Sequence, residues 1–195
     1  MRDPFQILAV PYRFIKGELC FCVFRRADSD IWQFIAGGGE DNEKPLDAAL
    51  REVKEETGVT AEKLSELKSV AFVPAEVVAE NIRAHWDKNI FVIPEYSFAF
   101  ECNADPTLSR EHCEYKWLPY DTARKLLKWD SNKVAMYEAV CRLNSGMNCN
   151  TKAFIINGKI TVNDNTSLEE LCKLFNQFQN ENSFGFNGSI RDENR

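Results

Sequence analysis

The segment Arg51-Glu52-Val53-Lys54-Glu55-Glu56-Thr57-Gly58-Val59 carries three glutamates within five positions. On a helix of 3.6 residues per turn, Glu52, Glu55 and Glu56 stand at i, i+3 and i+4, so the carboxylates share one face. Leu46, Leu50 and Val53 then fall on the opposite face, toward a sheet. Like charges this close repel unless cations neutralise them, and Arg51 is placed to brace Glu55 one turn on. Hard oxygen ligands of this kind suit Mg²⁺, with Mn²⁺ as an alternative; both keep waters and bridge to phosphate oxygens. Ahead of the helix, Gly37-Gly38-Gly39 lets backbone approach a ligand closely and offers N–H or C=O groups to a metal–phosphate unit. The plain alternative for a glutamate-rich helix is a solvated charged face.

The wider spacing decides between the two. From Gly37 it runs five residues to Glu43, seven more to Arg51-Glu52, and on through Glu55-Glu56 to Gly58-Val59. This resembles the signature of the Nudix hydrolases, Gly-x5-Glu-x7-Arg-Glu-apolar-x-Glu-Glu-x-Gly-apolar. Seven fixed positions at roughly 5 to 7% background each make an accidental match rarer than about one in a million. The resemblance implies an α/β (α+β) fold, a mixed-sheet α/β/α sandwich, and hydrolysis of a diphosphate linked to another moiety. It implies metal ligation by Glu52 and Glu56, with a carbonyl oxygen of Gly37 or of Ala36, beside the substrate, as a further ligand. It assigns Glu55 to orienting or deprotonating a water, and Glu43 and Arg51 to bracing the loop and helix that Gly58 ends.

Segments outside that box are similar to bacterial dihydroneopterin triphosphate pyrophosphohydrolases and the dATP pyrophosphohydrolases grouped with them. They are Arg25-Arg26 before Asp30-Ile31-Trp32-Gln33, Glu111-His112 leading to Glu114-Tyr115-Lys116-Trp117-Leu118, and Lys128-Trp129-Asp130-Ser131-Asn132-Lys133. Within this resemblance Glu111 matches a metal-binding glutamate beyond the box, Arg25 a basic residue at the substrate, and Ser131 a residue near it. Each has a structural alternative: an exposed strand arginine, a helix N-cap serine, a loop charge. Trp32, Trp117 and Trp129 read as core rather than base-stacking groups. Pro74, sixteen residues after Gly58, falls about where ADP-ribose hydrolases of the family carry a proline, which keeps ADP-ribose or a dinucleotide as the alternative substrate. From another functional class, a catalytically silent ligand-binding or sensor module is the remaining alternative, although such domains usually lose box residues and this box is intact.

The elements that position these residues are legible in outline. Ile7 to Phe14 and Leu19 to Arg25 are β-rich runs around Lys16-Gly17, a hairpin pattern. Trp32 to Ile35 follows, then the glycines, an acidic loop, and a helix opened by Pro45 and closed by Gly58. Leu67 to Val73 and Tyr96 to Cys102 read as strands, residues 74 to 95 as a long connection holding His85-Trp86, and 119–128 and 131–143 as helices.

Composition shifts at Asn144-Ser145-Gly146, so a domain over residues 1–145 is expected, with an extension over 146–195. The extension reads as a hairpin, Ala153 to Val162 around Asn157-Gly158, then a short helix with Leu168, Leu171, Leu174 and Phe175 on one stripe, and a frayed end. With 24 Lys+Arg against 30 Asp+Glu the chain has a formal charge of −6, which lacks the footprint of a nucleic-acid or anionic-membrane binder. The expected partner is therefore a small phosphate-bearing molecule met locally, with a homodimer left open. No apolar run approaches the roughly 18 to 20 residues that span a bilayer, and Met1-Arg2-Asp3-Pro4-Phe5 is unlike a secretory signal, so the expected location is cytoplasmic. Seven cysteines without a Cys-x-x-Cys pair read as reduced thiols rather than a zinc or disulfide framework.

Overall fold

Strands buried on both faces need apolar residues at every position, and that is what the two leading runs supply. The computed structural model describes residues 1–146, 153–156 and 159–162. β1 (Arg2–Ile15) and β2 (Glu18–Arg26) pair antiparallel through a two-residue turn in which Lys16 and Gly17 take φ of 50° and 82°. Positive φ at both central positions matches the right-handed twist of the flanking strands.

Where β1 and β2 diverge, the chain from 32 to 40 fills the gap. β3 (Trp32–Gln33) pairs with β2, and β4 (Ile35–Glu40) pairs with β1. The glycines that precede the acidic loop are strand residues, with Gly37 opposite Ile7 and Gly38 opposite Gln6. Their poor strand propensity is overridden by β1, which supplies the ladder, and by side chains of other elements that occupy the space over them.

β5 (Ser65–Pro74) lies antiparallel to β6 (Val92–Glu101), which runs parallel to β1. The connection between them is shorter than expected and partly ordered: a 3₁₀ turn at Ala75–Val77 and a helical turn, α2 (Glu80–Arg83), occupy it, and β6 begins four residues before Tyr96. On the other edge of β2 lies β7 (His112–Pro119), a strand the pattern reading did not identify.

α1 (Pro45–Thr57) covers one face of the sheet, with Ala48, Ala49 and Val53 against Ile7, Ala9, Cys22, Phe24 and Ile35. α3 (Tyr120–Leu126) and α4 (Asp130–Gly146) cover the other, where Ala135, Met136 and Ala139 meet Leu8, Val10, Phe21, Val23 and Phe34. Neighbouring residues thus point to opposite cores, and the expected α/β/α sandwich is what forms. The inward face of α1 differs from the expected stripe. Alanines carry it and let the helix approach closely, whereas Leu46 is 43% exposed. Cys20, Cys22 and Cys102 are buried as small apolar groups, and desolvation pushes the Cys20 thiol up to about 11.

α4 runs through Asn144-Ser145-Gly146, the segment expected to be a linker. Beyond it β8 (Ala153–Ile156) and β9 (Lys159–Val162) pair antiparallel, as the hairpin pattern predicts, and β8 joins the sheet beside β2 at Glu18 opposite Ile155. The Asn157-Gly158 turn and the helix expected around Leu168 to Phe175 lie outside the described residues.

Among the polar contacts between α4 and the sheet, one is fully buried. Asn132, 2% exposed, accepts the Phe34 N–H through its Oδ1 at 2.8 Å. Asn132→Ala leaves that buried N–H unpaired and is expected to cost about 1–3 kcal/mol. In a chain of this size each kcal/mol lowers the thermal midpoint by about 2–4 °C. A melting curve checks it, and a shift within error would show that the bond does not clamp the helix.

Candidate active site

The backbone of α1 is set at both ends by residue type. Pro45 occupies the first turn, where its missing N–H costs nothing. Gly58 takes φ 68°, ψ −7° and donates its N–H to the Lys54 carbonyl at 2.9 Å, the left-handed cap that a residue with a side chain rarely adopts. Between these ends the three glutamates share one face, and Arg51 organises them. Its Nε and Nη2 donate to the Glu43 carboxylate at 3.0 and 2.9 Å, Nη2 donates to the Gly38 carbonyl at 2.7 Å, and Nη1 donates to Glu52 at 2.9 Å and to Glu55 at 3.2 Å. Glu43 in turn accepts the Glu40 N–H at 3.0 Å, so loop, strand and helix are locked through one guanidinium. Arg51 beside it holds the Glu43 carboxyl below its ordinary range.

The three carboxylates of the helix face differ in environment. Glu55 is 59% exposed, Glu52 13%, and Glu56 only 3% at the side chain. Glu52 lies over Gly37, where an added Cβ would stand 1.9 Å from Glu52 Cδ. Gly37→Ala therefore displaces the flexible end of Glu52 rather than backbone. It is expected to lower kcat by about 10²-fold, as loss of one preorganised group does, with little change in the melting curve. Wild-type kcat in that variant would show that the position of Glu52 is immaterial.

Burial first, then the charges of Glu52 and Glu111, push the Glu56 carboxyl well above its ordinary pKa, against a backbone hydrogen bond from Ala36. Glu56 Oε2 has no hydrogen-bond partner among the described residues. His112 Nδ1 stands 3.4 Å from it, but desolvation and the Arg26 charge push that imidazole down to about 4, so it is neutral at pH 7. The pair is a neutral imidazole against a buried carboxyl, not a salt bridge.

Chain 107–111 folds over the end of α1: the Thr107 N–H donates to the Thr57 carbonyl and the Ser109 N–H to that of Glu56. This brings Glu111 to the cavity lined by Glu52, Glu55 and Glu56. Among the described residues no three metal-ligating side chains stand as a ready-made cluster. The donor set nonetheless fits a divalent cation that keeps part of its water: hard oxygens only, around one cavity, with a buried orphan oxygen on Glu56.

A second cavity adjoins the first through Glu111, which lines both, and Ala36 and Gly37 line the second. Two guanidinium groups reach it, Arg2 and Arg26. Arg25, expected at the substrate, is not among its lining residues: it pairs with Glu114 at 3.1 Å and Asp30 at 3.5 Å. A register irregularity between Arg25 and Arg26 on the β7 side sets which arginine the cavity receives. Ser131 meets the site indirectly, through a hydrogen bond to Glu95, while its neighbour Asn132 lines the cavity. Trp32 is core, as expected; Trp117 is half-buried against the core with Arg13 over its ring, and Trp129 is 45% exposed at the cavity, its indole N–H on Gln33. Trp86 donates to the Arg2 carbonyl at 2.8 Å and docks the 74–95 connection on β1. Arg2, Gln6, Arg26 and Glu95 were not expected at the site. Only Arg26 carried a signal, its adjacency to Arg25.

Comparison with known proteins follows the same outline. A NUDIX domain profile matches residues 9–140. The chain is 34% identical over 145 residues to dihydroneopterin triphosphate diphosphatase of Escherichia coli, covering 71% of this chain and 93% of that one. It is similar to the crystal structure of a NUDIX hydrolase from Listeria monocytogenes, with TM-score 0.63 and 40% identity over 74% of this chain and 97% of that one. It is also 30% identical, over 55% of this chain and 68% of the other, to asymmetrical bis(5'-nucleosyl)-tetraphosphatase of Sus scrofa.

Proposed function

This chain belongs to the NUDIX family and is a pyrophosphohydrolase, and from that premise we propose that it is Mg²⁺-dependent and cleaves a (deoxy)nucleoside or dihydroneopterin triphosphate to the monophosphate and pyrophosphate. The observation that carries this reading is the junction of the two cavities, where the carboxylates of Glu52, Glu55, Glu56 and Glu111 adjoin the cations Arg2 and Arg26. Carboxylates alone would repel a polyphosphate, and cations alone would bind it without hydrolysis.

Glu52 and Glu56 are the residues that would hold the metal, with Glu111 and the Gly37 carbonyl as further ligands. When bound, the ion neutralises phosphate charge and lowers the pKa of a water. The protein's own groups do the remaining work. Arg51 holds Glu52 and Glu55 against mutual repulsion. Glu55, exposed to the cavity, is the group we assign to orienting the attacking water or accepting its proton. Arg2 and Arg26 offset the phosphate charge in the second cavity, which Ala36 also lines. All seven box residues are present, which is why we infer an enzyme rather than a silent binding module.

The relative from Sus scrofa supports a second reading, cleavage of a bis-nucleoside polyphosphate. Turnover of dihydroneopterin triphosphate, dATP, a bis(5'-nucleosyl) tetraphosphate and ADP-ribose, compared by kcat/KM in Mg²⁺, separates the readings. Highest kcat/KM on a triphosphate supports the proposal. Preference for the tetraphosphate favours the second reading, and cleavage of ADP-ribose alone would overturn both.

A further inference from the structure

The second cavity contains a carboxylate that the hydrolytic chemistry does not use. Glu95, on β6, is 3% exposed and lines that cavity. It pairs in register with Gln6 of β1, so both side chains leave the sheet on the face that α4 covers, at the end where Ser131 and Asn132 begin that helix. Its Oε2 accepts from Gln6 Nε2 at 2.9 Å and the Ser131 hydroxyl adds a hydrogen bond, while Oε1 has no partner among the described residues. None of the ion pairs among the described residues involves it. A buried carboxyl without a cation and with an idle oxygen is costly to keep, and the cost is offset when a ligand donates hydrogen bonds to it.

The neighbours narrow that ligand. Trp129 presents an exposed indole beside the carboxyl, and its N–H is already committed to Gln33, which fixes the ring and leaves its face for stacking. Val77 adds an apolar wall. A flat heterocycle resting on Trp129 and meeting Glu95 must show donors along its edge, since an ionised carboxylate accepts only. Two adjacent donors, a ring N–H and an exocyclic NH₂, give a bidentate fit. That edge belongs to the 2-amino-4-oxo-pyrimidine ring, present in guanine and in a reduced pterin. Adenine shows an acceptor nitrogen beside its amino group, and thymine a single N–H flanked by carbonyls.

We propose that Glu95 is a specificity-determining residue that reads the N–H/NH₂ edge of a 2-amino-4-oxo-pyrimidine ring while Trp129 carries the ring's face. The inference deepens the reading of the site as a triphosphate pyrophosphohydrolase and rests on it. Gln6 and Ser131 are positioning residues that hold the carboxyl toward the cavity.

Calorimetric binding of guanosine 5'-monophosphate, 7,8-dihydroneopterin and adenosine 5'-monophosphate tests this without requiring turnover. The wild-type chain is expected to bind at least one of the first two about 10-fold or more tighter than the adenine nucleotide, as a bidentate edge contact gives. Which of the two it is distinguishes nucleotide from pterin. Glu95→Gln, which offers a donor and an acceptor matched to adenine, is expected to bring that ratio to one or below. Equal binding of all three by the wild type would overturn the proposal, and that arm needs no variant. So would an equal weakening of all three by Glu95→Gln, the signature of a merely structural carboxyl. Turnover of dGTP and dihydroneopterin triphosphate in Mg²⁺ tests the hydrolase reading separately: failure on both would count against that reading, while the binding ratio still decides the role of Glu95.

Discussion

Glu56→Gln is expected to abolish most of the activity and to raise thermal stability. The side chain is buried, has one oxygen without a hydrogen-bond partner among the described residues, and faces Glu52 and Glu111. Glutamine preserves shape and volume but removes the anionic oxygen donor, so kcat is expected to fall on the order of 10³-fold, the scale of removing one preorganised electrostatic group. Stability moves the other way. Because the folded chain raises this carboxyl's pKa, its favourable contribution is complete below the unfolded value and is lost as pH rises through the folded value. Above the unfolded value the raised pKa therefore opposes folding, a penalty that neutral glutamine does not carry. A thermal midpoint higher by a few degrees, corresponding to roughly 1 kcal/mol in a chain of this size, is expected at pH 7 in the absence of added metal. The difference should shrink as pH falls toward 4, where the native carboxyl is itself protonated. Near-normal kcat in the variant would remove Glu56 from the site.

Arg51→Ala is expected to damage both properties at once. The guanidinium is 21% exposed and joins Glu43, Glu52, Glu55 and the Gly38 carbonyl. Without it three carboxylates face one another across a partly buried space. Breaking a fully buried pair costs about 3–5 kcal/mol, and the residual exposure here lowers the expected loss to about 2 kcal/mol, or roughly 4–8 °C. Catalysis is expected to fall by about 10²-fold, because Glu52 and Glu55 lose the cation that orients them. The acid limb of stability also changes. Arg51 depresses the Glu43 pKa, so the stabilisation is present above the unfolded carboxylate pKa and is lost as pH falls through the folded value. In the variant that loss on acidification should flatten. Arg51→Lys should recover only part of either property, since an ammonium cannot serve the fork that meets Glu43 with two nitrogens. Calorimetric melts between pH 3 and 7 alongside kcat determine both effects, and an unchanged melting profile would show that the network is ornamental.

The parts of this molecule legible from sequence are those governed by local rules. The i, i+3, i+4 glutamates, Pro45 at the start of α1 and Gly58 at its end fix a helix and its acidic face without tertiary help. The apolar runs of β1 and β2 are continuous because each strand feeds two cores, which is equally local. What escaped depends on strands that meet from far apart. Gly37 to Gly39 have no β propensity, and they form β4 because β1 pairs with them and Glu52, Arg2 and Phe5 occupy the space over them. Arg26 reaches the cavity in place of Arg25 because of an irregularity against β7, which no alternation rule reveals. Gln6 and Glu95 hydrogen-bond across 89 positions only because β1 and β6 run parallel, and His112 reaches Glu56 only because β7 docks on β2. The box names the hydrolytic half of the site. The half that would receive the leaving moiety is built by topology.

The central claim, that the acidic face of α1 and the two arginines of the adjoining cavity cleave a triphosphate to monophosphate and pyrophosphate, is tested most directly by phosphorus NMR of a triphosphate incubated with the protein and Mg²⁺. Appearance of pyrophosphate and nucleoside or pterin monophosphate in equal amounts, with no orthophosphate and no nucleoside or pterin diphosphate, is the predicted result. Release of orthophosphate with a diphosphate product, or a spectrum unchanged over many enzyme equivalents, would contradict it.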